Sequence, residues 1–269
     1  MAEQRLYYPD RFKDAARYYS SGRPTYPKLL GQRVADHVAL SGENVLDLGT
    51  GPGFLAIDFA SLANSVTAID PSPEMLAAAS GNAARARVQI RLVQASSYEL
   101  GTHLGRFKLV TIGRAFHWMD REATLATLDR MIPVRGAVAL FGERYPNVPQ
   151  NAWHTEFESI LDGYRLEDPA RALVRARGSD EAVLLASAFD QLERIGVIEA
   201  RHTPIERFID RALSYAATWH GRPGSRAADL AFDIARALRP HADETGCIHE
   251  VLEGHALVAR RTKDLRSPT

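Results

Sequence analysis

Asn44-Val45-Leu46-Asp47-Leu48-Gly49-Thr50-Gly51-Pro52-Gly53 is the stretch that decides the fold. An apolar run interrupted only by Asp47 reads as a buried strand. Three glycines at every second position then force a sharp turn, and Phe54 to Leu62 carries apolar residues at helical spacing. Working outward, a second strand is predicted over Ser65 to Ile69, ending at Asp70. Ser72 is a cap for the next helix, with Pro73 at its first position and Glu74 at its positive end. Further strands are predicted at Val88 to Val93, Phe107 to Ile112 and Ala137 to Phe141, with Asp120 capping a helix through Met131. This β-α-β-α rhythm predicts an α/β protein with a doubly wound, mostly parallel sheet.

After Phe141 the rhythm breaks. Helices are predicted near Ala152 to Tyr164 and over Asp180 to Glu193, separated by an Arg-rich stretch, and together they read as a helical cap insertion. A strand at Ile198 to Ile205 follows, then helices near Phe208 to Trp219 and Arg226 to Leu238. The chain closes with strand-like runs at Cys247 to Leu252 and His255 to Arg261, where Gly254 predicts a tight antiparallel connection.

Lys plus Arg (33) balances Asp plus Glu (33) over 269 residues, and no basic block runs along the chain, so the electrostatic footprint of a nucleic-acid binder is absent. No stretch approaches the ~20 apolar residues of a membrane span, and Met1-Ala2-Glu3-Gln4-Arg5 does not open a secretory leader. A cytoplasmic protein with neither nucleic-acid nor membrane partners is expected, its oligomeric state left open. Cys247 stands alone, which excludes an intrachain disulfide and a cysteine-held iron–sulfur cluster.

Ligands of open α/β sheets bind at the carboxyl ends of the strands, where this glycine turn lies. The dinucleotide pattern G-x-G-x-x-G fails, because counting from Gly49 puts Phe54 where the third glycine belongs. Asp47 instead sets a carboxylate beside the turn, suited to the ammonium of a methionine moiety. Asp70, about twenty residues on, can accept both hydroxyls of a ribose. A structural turn and a helix-capping aspartate are the alternatives.

At Asp47, Gly49, Gly51, Gly53 and Asp70 the sequence resembles the class I S-adenosylmethionine-dependent methyltransferases, over roughly Tyr18 to Phe141 and, by pattern, the last two strands. The resemblance implies a seven-stranded sheet ending in an antiparallel hairpin. Tyr18 to Pro27 and Ala115-Phe116-His117-Trp118-Met119-Asp120 are similar to the trans-aconitate-methyltransferase-like branch. That similarity implies an N-terminal helical segment over the cofactor, with Tyr18, Tyr19 or Arg23 near its methionine end; an exposed Arg23 is the competing reading. The implied cofactor contacts are Tyr19, Arg23, Asp47, Gly49, Thr50, Gly51, Asp70, Pro71, Met75, Ala95, Ser96 and Arg114. Gln94-Ala95-Ser96-Ser97 departs from relatives that hold the adenine amino group with an acidic residue. The expected organisation is 1–40 as the covering segment, 41–142 as the cofactor core, 143–196 as the cap insertion and 197–269 as completion of the sheet with further cap helices.

Methyl transfer from a sulfonium needs positioning and desolvation, and a base only when the acceptor carries a proton. His117, after the fourth strand, and Glu143, just past the fifth beside Arg144, are the candidate bases; packing and a solvated loop are their alternatives. Phe116, Trp118, His154, Trp219 and His220 are expected around a small-molecule acceptor, although Trp219, like Trp153, reads equally as packing. No His, Asp and Glu grouping shows metal-ligand spacing, so no metal is expected. The leading expectation is methyl transfer to O, N or C of a metabolite. A non-methylating cyclase or isomerase on the same cofactor, or a regulatory protein that binds it without turnover, remains open.

Overall fold

The computed structural model describes residues 16–165, 173, 177–215 and 226–262; Trp219 and His220 lie outside them. Seven strands form one sheet: β1 (Asn44–Leu48), β2 (Ser65–Asp70), β3 (Arg91–Gln94), β4 (Leu109–Gly113), β5 (Ala137–Arg144), β6 (Gln191–Pro204) and β7 (Cys247–Arg260). Their order is β3-β2-β1-β4-β5-β7-β6, with β7 antiparallel to both neighbours and the other pairings parallel. The order reverses between β1 and β4, which opens the crevice where open α/β sheets take ligands.

Helices α1 (Ala16–Gly22), α2 (Lys28–His37), α3 (Phe54–Phe59), α4 (Pro73–Ala86) and α5 (Arg121–Met131) accompany this half of the chain. Ser72 accepts the Met75 N–H and Asp120 the Ala123 N–H, so both helices start where the sequence places their caps. One face of the sheet buries Leu30, Val34, Phe59 and Phe141; the other buries Leu46, Ile69, Val110 and Leu128.

The second half departs from expectation. The helix predicted over Asp180 to Glu193 is only α7 (Asp180–Leu185), and β6 begins at Gln191, so the expected 196/197 boundary falls inside a strand. Local helix propensity yields here to tertiary pairing: β6 matches β7 over its whole length, with Ile195 and Val197 packed on the core. Gly254 is no turn, for β7 runs unbroken through it and a Cβ there would lie 2.3 Å from Pro27 Cδ. The missing side chain makes room for the segment leading into α2. The antiparallel strands β6 and β7 are joined through α8 (Ile205–Leu213) and α9 (Ala227–Leu238), not by a tight hairpin.

With α6 (Trp153–Tyr164), α8 and α9 build a third core of Trp153, Phe157, Phe208, Leu230 and Ile234. Helix α1 docks on α8 through Gly22, whose absent Cβ would sit 2.1 Å from the Arg211 backbone nitrogen. The carbonyls that end α1 have no partners within the helix. Arg207 Nη1 donates to Ser21 O (2.8 Å) and Arg211 Nε to Gly22 O (3.2 Å).

Candidate active site

Gly49, Gly51 and Gly53 all have φ between 54° and 85°, a conformation that costs residues with a Cβ. At Gly49 a Cβ would also meet Ala115 Cβ at 2.6 Å. Gly53 is the N-cap of α3 and has no side chain to cap with, so Asp47 takes over: its Oδ2 accepts the Ala56 N–H (3.2 Å) and the Thr50 hydroxyl (2.5 Å). Oδ1 accepts the Thr111 hydroxyl of β4 (2.8 Å). Asp47 therefore binds β1, β4, the turn and α3 together from behind, and neither it nor Thr50 lines the cavity in front. Burial pushes its carboxyl up to about 6 against the pull of those hydrogen bonds.

That cavity, about 360 Å³, runs along the carboxyl edge of the sheet. Its wall follows strand order: Ala95, Ser96 and Tyr98 after β3, Asp70 and Pro71 after β2, Gly49 and Gly51 after β1, Arg114 and Trp118 after β4. Met75 of α4 and Tyr19 of α1 also line it. Asp70 is 7% exposed; its Oδ2 accepts Gly51 N–H and its Oδ1 accepts Ser72 N–H, each at 2.9 Å. Each oxygen retains capacity for another donor. Burial raises this carboxyl to about 6, opposed by the two backbone N–H groups.

Arg114 has φ +57°, a left-handed conformation uncommon outside glycine and enriched at functional sites. Its Nη1 and Nη2 hold Pro24 O (3.2 Å each), and Nη1 donates to Glu143 Oε1 (3.1 Å). Glu143 Oε2 and Arg114 Nε are buried without hydrogen-bond partners among the described residues. Glu143 is not a loop residue past β5; it lies within the strand, opposite Gly254.

The remaining expected contacts stand elsewhere. Arg23 does not reach the cavity: Nε donates to Ser214 Oγ (2.8 Å) and the guanidinium lies 3.9 Å from the Tyr215 ring centre. Phe116 is buried in the sheet core, and His117, 4.8 Å from the Trp118 ring, is outside the cavity wall. His154 packs on Tyr145 at 4.7 Å, also away from the wall, with burial lowering its pKa. The expected contacts do not include Leu48, Gln94, Ser97, Tyr98, Glu99, Gly113, Ala115 or Met119, which also line the wall. Glu99 accepts the Ser96 N–H (2.8 Å) in a capping box, and the S-x-x-E spacing from Ser96 was the signal available for it.

Residues 45–135 match the methyltransferase domain family. An uncharacterized methyltransferase of Mycobacterium tuberculosis is 28% identical over 130 residues, 48% of this chain and 50% of that protein. The ribosomal protein L11 methyltransferase of Thermus thermophilus is 33% identical over 122 residues, 45% of this chain and 46% of its own. The chain thus spans about half the length of the curated relatives it matches. A solved structure from Anaeromyxobacter dehalogenans, a proposed type II methyltransferase, superposes with TM-score 0.65 at 20% identity, over 89% of this chain and 97% of that one, and shares the fold. Residues 45–135 are therefore similar to a methyltransferase domain, and the chain shares the seven-stranded α/β fold of that solved structure.

Proposed function

We propose that this protein binds S-adenosylmethionine along the sheet-edge cavity and transfers its methyl group to an oxygen, nitrogen or carbon of a small-molecule acceptor. The observation that carries the reading is Asp70, a cavity-wall carboxylate already oriented by two backbone N–H groups and with capacity left for a ribose diol. Strand order supports the rest of the reading: adenine against Ala95 and Ser96 after β3, ribose at Asp70, the methionine end across Gly49 and Gly51 toward Arg114 and Tyr19. Pro71 and Met75 offer apolar contact alongside.

Held by Asp70, Gly49, Gly51, Ala95 and Ser96, S-adenosylmethionine would supply an electrophilic methyl group to the acceptor's nucleophilic atom, with S-adenosylhomocysteine as the co-product. A proton on the acceptor must then go to a base. Neither His117 nor Glu143 is in the cavity wall, and Glu143 is the favoured candidate because it holds cavity-lining Arg114 and has a buried oxygen without a partner among the described residues. Glu143→Gln is expected to lower turnover more than tenfold while leaving S-adenosylhomocysteine affinity within about twofold. Loss in His117→Asn instead would move the base there, and no loss in either would mean the acceptor needs none.

The Tyr18 to Pro27 and Ala115 to Asp120 segments support placement in the trans-aconitate-methyltransferase-like branch, and with it an organic-acid or secondary-metabolite acceptor. Selectivity is assigned to Trp118 in the cavity wall and, on the sequence alone, to His154, Trp219 and His220, each tested by substitution. The deciding experiment incubates the protein with S-adenosylmethionine and acceptor panels and follows both products by mass spectrometry. A gain of one CH₂ with S-adenosylhomocysteine supports transfer; an isomer of unchanged mass indicates a cyclase or isomerase, and binding without product a regulatory protein.

A further inference from the structure

Outside the cavity, His202, Asp243 and His249 converge, their ligand atoms all within 4.8 Å of one another. His202 on β6 and His249 on β7 are direct cross-strand partners, which puts both side chains on one face of the sheet. Their rings stack with centres 4.4 Å apart. Asp243, in the loop before β7, presents Oδ2 to both: His202 Nε2 is hydrogen-bonded to it, and His249 Nε2 lies at 3.6 Å.

The other carboxylate oxygen is fully engaged. Oδ1 accepts Thr245 N–H (2.8 Å), the Thr245 hydroxyl (2.7 Å) and Cys247 N–H (3.2 Å), which fixes the carboxylate plane and aims Oδ2 between the imidazoles. Such outer hydrogen bonds are what orients a ligating carboxylate.

We propose that His202, Asp243 and His249 form a binding site for a divalent ion of the zinc class, independent of the methyl-transfer cavity. Two imidazole nitrogens and one carboxylate oxygen suit zinc, cobalt, nickel or copper better than magnesium or calcium, which prefer all-oxygen shells. Ligand bonds of ~2.0–2.2 Å in a tetrahedron place neighbouring ligand atoms about 3.4 Å apart, close to the His249–Asp243 separation. The ion replaces the hydrogen bond between His202 and Asp243 and leaves its fourth position to water. It joins the end of β6, where α8 begins, to β7 and the loop ahead of it.

The test is titration of the full, tag-free chain with zinc chloride by calorimetry, alongside cobalt(II) absorption and thermal melts. One equivalent bound, visible d–d bands and a rise of several degrees in melting temperature are expected. His202→Ala and His249→Ala, both exposed and on a sheet face outside the core, are each expected to weaken binding at least tenfold and abolish the melting shift. His241→Ala, at a histidine 3.6 Å from Glu156, serves as the control and is expected to leave zinc binding unchanged. Absence of saturable binding, or binding indifferent to His202→Ala and His249→Ala, overturns the proposal.

Discussion

Replacing Asp70 tests the whole cofactor assignment, because two independent quantities follow from its geometry. A ribose diol would donate two hydrogen bonds to a carboxylate whose other acceptor positions hold Gly51 and Ser72. Bonds to charged groups contribute about 1.5–3 kcal/mol each, and water recovers part of that on removal. A net loss of about 3 kcal/mol is therefore expected for Asp70→Ala, or roughly a hundredfold in affinity. Asp70→Asn keeps an oxygen and removes the charge, so its expected loss is nearer tenfold. The second quantity is pH. Burial places the carboxyl at about 6, and only the ionised form accepts both hydroxyls, so wild-type affinity should fall by about tenfold from pH 7.5 to pH 5. Asp70→Asn should be flat over that range. Calorimetry with S-adenosylhomocysteine measures both, with melts at each pH as folding controls. The controls are needed because Asp47 and Asp70, both raised, favour the native state below about pH 4 and lose that contribution as pH rises through about 6. A folded Asp70→Ala protein that binds within about threefold of wild type would refute the ribose assignment.

Gly22→Ala drives a Cβ into the α8 backbone, 2.1 Å from Arg211 N, at a cost of about 1–3 kcal/mol. Melting should fall by several degrees, and cofactor affinity with it, since α1 carries Tyr19 into the cavity wall; an unchanged melt would mean α1 is not docked this way. Trp153→Ala empties the third core beside Phe208 (4.7 Å) and Tyr145 (5.1 Å) and should cost about 3–5 kcal/mol in denaturant unfolding, with cofactor affinity unchanged where the protein remains folded. Trp153→Phe should cost far less, because it keeps an aromatic ring in place and the indole Nε1 has no hydrogen-bond partner among the described residues to lose.

The sequence by itself determined the cofactor half of the protein. Strand, turn and helix over Asn44 to Phe59, the caps at Ser72 and Asp120, and the position of Asp70 are all set within a few residues, by glycine torsions, side-chain caps and alternating burial. Tertiary structure decided whatever depends on partners distant in the chain. Asp47 turns toward Thr111, 64 residues away, and caps α3 instead of facing the cavity. Arg23 finds Ser214, 191 residues away, once Gly22 lets α1 settle on α8. Residues Gln191 to Glu193 become strand because β7 is there to pair with them, and Gly254 stays extended because Pro27 needs its space. His202 and His249 read as unrelated until antiparallel register sets them side by side. A local signal encodes torsion and cap, whereas the direction of a buried polar side chain is settled by whichever distant donor the fold brings within hydrogen-bond reach.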